Sequence, residues 1–369
     1  MASRQLSGHA KHVLQALKTQ KCVLIKGVPA AGKSRLLAEV ESAFVQRPGA
    51  QVGGNPTILV PPDGSGLSAL LPSPRRSDRR RWPLVMNQNT RYRDFLRAPQ
   101  AKLDGGQGFE LSKGALYRAN EHAKTPNGAA LITIDELNRG PAVQVFGPSI
   151  VAIEADKRAD EDNAPIDGQT ASFELQTEAG DYEDYWLSPH LYLVCAQNNA
   201  DTSVEPIDTA FLRRFEPVDL FPDEGILLEH FGLSAVDGDL PDTADNPEAV
   251  YRAAVRAWRN VNRKLRIGAD ADHQLGHGAL MNPNSDVPTA TTEEALRYVE
   301  RGWARVDQHV GEVFYGKPEH VADAFWVNEG GPGHPYKLET TTFGDLDQLY
   351  LERDDSDLYR LLRAIATAT

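Results

Sequence analysis

The strongest constraint on this chain is the segment Gly-Val-Pro-Ala-Ala-Gly-Lys-Ser at residues 27–34. It matches the spacing G-x-x-x-x-G-K-[ST] and stands between an apolar run at 21–26 and a helical pattern at 33–45. Glycines in such a loop let backbone N–H groups approach phosphate oxygens, and the helix N-terminus adds positive potential. The alternative interpretation is a glycine-rich turn that only begins a helix. We predict a phosphate-binding loop whose nucleotide contacts come from Gly27, Val28, Pro29, Ala30, Ala31, Gly32, Lys33, Ser34 and Arg35.

Two side chains of this loop have distinct expected tasks. Lys33 can reach the β- and γ-phosphates of a nucleotide, and the Ser34 hydroxyl can ligate Mg²⁺. The substrate class that follows is a nucleoside triphosphate with Mg²⁺ as the metal.

An acidic pair ends a second apolar run, Leu-Ile-Thr-Ile-Asp-Glu-Leu at 131–137. A carboxylate at the carboxyl end of a buried parallel strand faces the ligand crevice of an open α/β sheet. Asp135 can therefore hold Mg²⁺ and Glu136 can polarise the attacking water, whereas unpaired carboxylates make poor core residues. The alternative is an ordinary solvent-exposed strand end.

Polar and basic residues follow a third apolar run at 190–196. Gln197, Asn198, Asn199 and Asp201 come directly after it, where a side-chain amide can bind a γ-phosphate or a water. Arg213 and Arg214 follow a helical segment that begins near Pro206. Guanidinium groups stabilise the charge of phosphoryl transfer and can be supplied by a neighbouring subunit, although a surface pair that caps a helix would look the same.

Alternation of strands and helices predicts a parallel α/β sheet over residues 1–222, interrupted by a Pro-, Gly- and Arg-rich insertion at about 46–84 with one strand expected at 57–60. Helices are also predicted at 8–20, 111–125 and 141–158, with a hairpin or loop at 159–185. From 223 to 325 only helical patterns occur, chiefly at 247–266 and 292–314, which predicts a small all-helical domain. A C-terminal extension follows at 326–369.

The bulk composition excludes some classes of protein. The net charge of -13 makes the chain a poor general nucleic-acid binder, because phosphate contacts need Lys and Arg. Cys22 and Cys195 sit in apolar runs and are expected to be buried free thiols. No apolar run reaches the length that spans a membrane, and no signal peptide is apparent, so we expect a cytoplasmic protein without membrane contact.

Taken together, the segments resemble the McrB family of AAA+ GTPases, the motor subunits of modification-dependent, type IV restriction systems. The resemblance covers roughly residues 12–320. It rests on Tyr-Arg-Asp-Phe-Leu at 92–96, Gly-Phe-Glu-Leu at 108–111, Asp-Glu-Leu-Asn-Arg at 135–139, Glu-Ala-Asp-Lys-Arg at 154–158, Gln-Asn-Asn-Ala-Asp-Thr-Ser at 197–203, Asp-Thr-Ala-Phe-Leu-Arg-Arg-Phe at 208–215 and Leu-Gly-His-Gly at 275–278.

The resemblance implies an AAA+ P-loop core followed by a helical lid, a hexameric ring, hydrolysis of GTP, and a McrC-type nuclease partner through which DNA is reached. It implies that Asn198 positions water or the γ-phosphate with support from Asp201. Arg213, with Arg214, would act across a subunit boundary, and His277 would lie near the nucleotide. Because only about 20 residues precede the first predicted strand, we expect no N-terminal DNA-reading domain.

The sequence leaves several functions and substrates possible. The sequence departs from the family pattern at Gln197, Asn199, Thr202 and Leu212, which leaves GTP and ATP both possible and leaves a slow, nucleotide-dependent assembly scaffold as an alternative. A MoxR-like ATPase that remodels proteins is another. The arginines at 75–81 would face DNA in a ring pore or form a solvated charged loop.

Overall fold

The computed structural model describes residues 6–45, 69–102, 108–200, 207–282, 285–329, 333–343 and 346–368. The chain divides into two compact units. The first comprises residues 1–26 and 33–219, and the second comprises the loop Gly27–Gly32 together with 220–369. The predicted strand at 57–60 lies outside the described residues, and the predicted division at 222 and 325 stays a prediction.

A five-stranded sheet forms the centre of the first unit. Its strands are β1 (Cys22–Gly27), β2 (Asp78–Val85), β5 (Gly128–Asp135), β8 (Leu191–Asn198) and β9 (Glu216–Leu220), in the spatial order β2-β5-β8-β1-β9. Strands β2 and β5 are parallel with Val85 opposite Asp135, and β5 and β8 are parallel with Ile134 opposite Cys195. The carboxyl ends of these strands therefore meet at one edge, where ligands bind in open α/β sheets.

Long apolar runs explain the inner strands. Residues Ala129–Ile134 and Leu191–Ala196 are buried throughout, as expected of strands covered on both faces. Their side chains pack with those of the flanking helices into one apolar core that includes Leu24, Ile132, Leu193, Phe146 and Phe211. The parallel α/β core predicted from the sequence is confirmed.

Helices and smaller elements complete the first unit. The helices are α1 (Gly8–Thr19), α2 (Lys33–Val45), α3 (Tyr92–Phe95), α4 (Ala115–Ala123), α5 (Ala142–Phe146), α6 (Ser149–Ala152) and α7 (Thr209–Leu212), with 3-10 turns at Leu137–Arg139 and Ala155–Lys157. Two antiparallel pairs are added, β3 (Arg97–Ala101) with β4 (Phe109–Lys113) and β6 (Phe173–Gln176) with β7 (Tyr182–Tyr185).

Part of the insertion predicted at about 46–84 is in fact strand β2 of the central sheet. Residues 78–84, predicted to belong to an irregular segment, form the outer strand of the sheet. Their arginines are built into the fold, since Arg81 ion-pairs with Glu41 of α2 and Arg79 donates to the carbonyls of Phe44, Ser73 and Pro72. The prediction that the arginines at 75–81 form a solvated charged loop is therefore wrong for the arginines of β2.

The single helix predicted at 141–158 is also wrong in detail. The chain forms two short helices and a 3-10 turn instead. Gly147 lies between them at φ +50°, a conformation that favours glycine, and Pro148 follows it. The helix predicted at 111–125 begins later, at Ala115, because Phe109–Lys113 pairs as strand β4.

The second unit is mainly helical around its own core. Its helices are α8 (Glu224–Phe231), α9 (Pro247–Gly268), α10 (Thr292–Val313), α11 (Pro318–Ala324) and α12 (Leu358–Thr367), with 3-10 turns at Ala271–His273 and His277–Ala279 and an antiparallel hairpin of β10 (Lys337–Phe343) and β11 (Leu346–Glu352). Trp258, Trp303 and Phe325 anchor the core. In the described parts of the chain no helix is long and apolar enough to cross a membrane.

Candidate functional site

The first pair of predicted site residues meets at the carboxyl edge of the sheet. The Ser34 hydroxyl donates a 2.8 Å hydrogen bond to Oδ2 of Asp135. Ser34 lies in the first turn of α2, and Asp135 is the last residue of β5. The backbone N–H of Glu136 donates to Oδ1 of the same carboxylate at 3.0 Å. Asp135 is thus fixed in orientation with one oxygen beside the Ser34 hydroxyl.

Lys33 lies in the field of the same acidic pair. Its burial lowers the pKa of its ammonium from the usual value, and the charges of Glu136 and Asp135 oppose that shift. A cation held near carboxylates and partly removed from water binds phosphate oxygens strongly, because less of its hydration is lost when the ligand arrives.

Glu136 has a strained backbone and a tethered carboxylate. Its φ of 57° and ψ of 43° place it in the left-handed region, which is uncommon for residues other than glycine and is frequent at functional sites. Arg139 Nε lies 3.0 Å from Glu136 Oε2 and forms an ion pair with it. The carboxylate is therefore turned toward Arg139 in this structure.

Side-chain amides collect around the end of β8. Nδ2 of Asn138 donates to the carbonyl of Asn198 at 3.0 Å. The amide oxygens of Asn138, Gln197 and Asn198 are buried and accept no hydrogen bond from any described residue. Buried polar atoms of this kind are normally satisfied, so these three are suited to a ligand or to ordered water. Asp201, the predicted support for Asn198, lies outside the described residues.

The segment Gly276–Gly278 contacts the first part of the phosphate loop, Gly27–Gly32, and both segments belong to the second unit. Gly276 and Gly278 donate their backbone N–H groups to the carbonyls of Pro29 and Ala30 at 2.8 and 2.9 Å. A Cβ on Gly276 would lie 2.3 Å from the Ala30 carbonyl carbon. Only glycine permits so close an approach of two backbones. Gly32 has φ +91°, which also favours glycine.

His277 lies between those two glycines. Its side chain is buried, and Nδ1 accepts a long hydrogen bond of 3.4 Å from the backbone N–H of Asp223. Its Nε2 lies 3.8 Å from the position of a Cβ built on Gly32. The structure thus brings His277 to the phosphate loop, whereas Arg35 is exposed on α2 one residue beyond Ser34.

The two candidate arginines differ in environment. Phe211 and Phe215 are buried and pack edge to face with ring centroids 5.2 Å apart, which fixes the turn between them. Arg213 is exposed, but Nε of Arg214 lies 2.8 Å from Oε1 of Glu154 and its side chain is only 10% exposed. Arg214 is held within its own subunit, and Arg213 is presented outward.

The chemistry of these oxygen atoms fits Mg²⁺. The cation is bound in nucleotide sites by one or two protein oxygens, several waters and the phosphates, and Ser34 with Asp135 supplies such a pair. A cage of three or more acidic, His or Cys side chains is not found in the described parts of the chain, and a nucleotide-bound Mg²⁺ does not require one.

Sequence reasoning missed three residues that shape the site. Arg139 pairs with Glu136, Asn138 bonds to the end of β8, and Glu154 holds Arg214. Each lies in a stretch that the family resemblance had marked, but the partner of each is set by tertiary structure. The spacing of these stretches in the sequence was the available signal.

Comparison with known proteins gives one sequence relative. The chain is 26% identical over 211 residues to the McrB subunit of the type IV methyl-directed restriction enzyme of Escherichia coli K12, which covers 57% of this chain and 37% of that protein. The chain is similar in sequence to a McrB subunit over more than half of its length. The predicted resemblance is confirmed. This McrB-like chain spans little more than a third of that relative's length, and no family model matches its sequence.

Solved structures of low similarity also match the McrB-like chain. NtrX from Brucella abortus is 14% identical, with 88% of this chain and 65% of that chain covered and a TM-score of 0.34. PCH-2 from C. elegans is 14% identical, with 81% and 65% covered and a TM-score of 0.35. Because these scores are low, we base the fold on the chain's own strand order and phosphate loop.

Proposed function

We propose that this McrB-like protein hydrolyses GTP, with ATP as the alternative substrate, in a ring-shaped homo-oligomer that is hexameric. The observation that carries the proposal is the 2.8 Å contact between the Ser34 hydroxyl and Asp135, with Lys33 in the field of Asp135 and Glu136. Hydroxyl, carboxylate and ammonium in this arrangement are the groups that P-loop NTPases use to hold a metal-bound triphosphate.

Each residue has a proposed task. The loop Gly27–Ser34 binds the phosphates, with Arg35 and His277 beside it, and Ser34 and Asp135 hold Mg²⁺, which neutralises charge on the β- and γ-phosphates. Glu136 polarises the attacking water. Asn198, supported by Asp201, orients that water or the γ-phosphate, and its unpaired amide oxygen is suited to this.

The ion pair between Arg139 and Glu136 defines a resting arrangement. A general base must come within hydrogen-bond reach of the water it activates, and apo geometry often tightens only when substrate binds. We propose that Glu136 leaves Arg139 in the nucleotide complex.

Arg213 acts on the nucleotide of a neighbouring subunit in this proposal, because Arg213 is exposed whereas Arg214 is held by an ion pair. The exposed Arg213 is free to enter a neighbour's site, and Arg214 supports it through the pair with Glu154. The nucleotide site is then completed only in the oligomer. Full turnover by a monomer would contradict this part of the proposal.

We further propose that the ring drives or licenses DNA translocation and cleavage by a McrC-like nuclease partner in defence against foreign DNA. The similarity to the McrB subunit of a restriction enzyme supports this. The acidic net charge of -13 favours contact with DNA through the partner complex and not through this chain alone.

Nucleotide turnover with GTP and ATP side by side tests the proposal. The parent should hydrolyse GTP faster, and Glu136→Gln should retain nucleotide binding but lose roughly 10²–10⁴-fold in rate. Glu39→Gln is the matched control, because Glu39 on α2 accepts hydrogen bonds from Ser7 away from the site. A strong ATP preference would contradict GTP as substrate. Equal, negligible rates for parent and Glu136→Gln, with and without a McrC-like partner, would contradict hydrolysis.

A further inference from the structure

A basic pocket lies at the end of the sheet opposite to Asp135. It has a volume of about 730 Å³ and is lined by residues that precede β1, β2 and β8, including Lys21, Arg76 and His190. Asp135 ends the eight-residue strand β5, whereas Arg76 Nη1 donates to the carbonyls of Thr125 and Pro126 just before that strand begins. At about 3.3 Å per residue, the two sites are roughly 25 Å apart.

The charges around the pocket are unbalanced. Four cationic side chains line it, from Lys18, Lys21, Arg75 and Arg76, against one carboxylate, from Glu161. The Glu161 carboxylate is 84% exposed and therefore screened by water. This positive surface stands out in a chain whose net charge is -13.

Two further arginines, Arg158 and Arg79, add to the excess of positive charge near the pocket. Arg158 is 2% exposed, and its guanidinium donates to the carbonyls of Ile153 and Ser188. Arg79 donates to main-chain carbonyls and lies over the ring of Phe44 at 4.1 Å. Neither guanidinium has a carboxylate partner among the described residues. Buried charges are normally paired, so this cluster lacks an anion.

A hydrogen-bonded network of side chains forms the base of the pocket. Arg76 Nη2 lies 2.7 Å from His190 Nε2, and the same nitrogen lies 3.1 Å from the carbonyl oxygen of Glu161. His190 Nδ1 lies 2.6 Å from Ser73 Oγ, which lies 2.6 Å from the Tyr192 hydroxyl oxygen. The Tyr192 hydroxyl is therefore the last group of this network and lines the pocket.

His190 and Tyr192 are neutral near pH 7. Burial lowers the pKa of His190 and the Arg76 charge adds to this, against the opposing effect of its hydrogen bond to the Glu161 carbonyl, and burial raises the pKa of Tyr192. Lys21 has its ammonium 5.3 Å above the Tyr192 ring, and Arg75 is exposed at the rim without a hydrogen bond or ion pair to any described residue.

We propose that this pocket binds a small phosphate-bearing anion at a site separate from the phosphate loop. Lys21 and the Tyr192 hydroxyl hold the oxyanion at the base, and Arg75 with Lys18 closes on it from the rim. The cavity is in the size range of small-molecule sites, and a tetrahedral oxyanion can accept from all these donors at once. DNA is disfavoured because it binds extended basic surfaces on proteins of opposite net charge.

Calorimetric titration with pyrophosphate tests this proposal. The full chain carrying Lys33→Ala serves as the reference, since the phosphate loop can no longer hold the probe strongly. Pyrophosphate should bind this reference chain, and the further change Arg75→Glu should weaken binding roughly tenfold or more. Lys21→Gln should do the same. Arg80→Glu is the matched control, because Arg80 pairs with Asp78 on β2 and does not line the pocket.

The outcomes are distinct. A tenfold loss in Arg75→Glu with unchanged circular dichroism and unfolding midpoint, and no loss in Arg80→Glu, supports the proposal. It is overturned if pyrophosphate fails to bind the Lys33→Ala chain, or binds all variants equally. It is also overturned if a short DNA duplex binds in an Arg75-dependent way and pyrophosphate does not. None of these results depends on hydrolysis at the phosphate loop.

Discussion

The Ser34 hydroxyl and the Asp135 carboxylate are joined by a 2.8 Å hydrogen bond across 101 positions of sequence. The two oxygen groups that we propose as Mg²⁺ ligands are therefore side by side before any nucleotide is bound. Preorganisation of this kind lowers the entropy that ligand binding must otherwise overcome.

Replacement of Ser34 tests this pair directly. Ser34→Ala removes both the hydrogen bond and a metal ligand, and we expect turnover to fall by about 10²-fold or more. The fold should be unaffected, because Ser34 is exposed. Ser34→Thr keeps the hydroxyl and should retain most activity. Turnover against Mg²⁺ concentration is the measurement, and equal rates for Ala and Thr variants would contradict the assignment.

The contrast between Arg213 and Arg214 predicts two different phenotypes. Arg213→Ala should leave the unfolding midpoint unchanged but abolish turnover in the oligomer, and mixing it with Glu136→Gln subunits should restore part of the rate. Arg214→Ala should lower the free energy of unfolding by about 1–3 kcal/mol, since Glu154 loses its half-buried partner. Thermal denaturation and mixed-subunit assays check this. No rescue on mixing would rule out action in trans.

Gly276 is predicted to be intolerant of a side chain. A Cβ at 2.3 Å from Ala30 must displace the phosphate loop, so Gly276→Ala should weaken nucleotide binding by tenfold or more. Gly311→Ala is the control, because nothing lies within 4 Å of its Cβ position in α10. That change should add about 0.5–1 kcal/mol of stability. Equal nucleotide affinity in both variants would argue against the close contact.

Strand β2 gives a matched pair of arginine changes. Arg81 ion-pairs with Glu41, which is 8% exposed and also accepts from the Thr133 hydroxyl. Arg81→Ala leaves that carboxylate buried and unpaired and should cost about 2–4 kcal/mol. Arg80→Ala, which breaks an exposed pair with Asp78, should change stability by less than about 0.5 kcal/mol. Urea denaturation would distinguish them.

The lowered pKa of Lys33 predicts that the free energy of unfolding of the nucleotide-free protein depends on pH. Its pKa is lowered in the folded protein by burial, while unfolding restores the usual value of 10.5. The unfolded state then binds more protons between those two pKa values, so the free energy of unfolding rises with pH there. Lys33→Met should be more stable than the parent at pH 7, and the difference should shrink as pH rises toward 10.5. Lys11→Met, on the exposed face of α1, controls for loss of one lysine.

The central strands could be predicted from the sequence, but the edge strand could not. Apolar runs at 129–134 and 191–196 have no stable alternative to burial in a parallel sheet. Strand β2 reads Asp-Arg-Arg-Arg-Trp-Pro-Leu-Val, and its first four residues are all charged, so no apolar alternation marks where the strand begins. Partners distant in sequence, such as Glu41 and the carbonyl of Phe44, make its arginines favourable in a strand, and no local pattern reveals those partners.

The candidate site, like the fold, could be predicted from the sequence only in part. The order and spacing of Lys33, Ser34, Asp135 and Glu136 predicted one catalytic edge, because strand ends in a parallel sheet converge there. The unequal environments of Arg213 and Arg214 could not be predicted, since these residues are adjacent in sequence and chemically identical. Their difference arises from Glu154 on one side and solvent on the other.

The two hydrogen bonds from Gly276 and Gly278 to the phosphate loop have a consequence for the order of synthesis. The carbonyls of Pro29 and Ala30 receive their partners only after residue 278 has been made, long after the loop itself. A nascent chain that already contains the whole α/β sheet therefore still has an unfinished phosphate loop. The loop can take its final shape only once the helical second unit has been synthesised as far as Gly278.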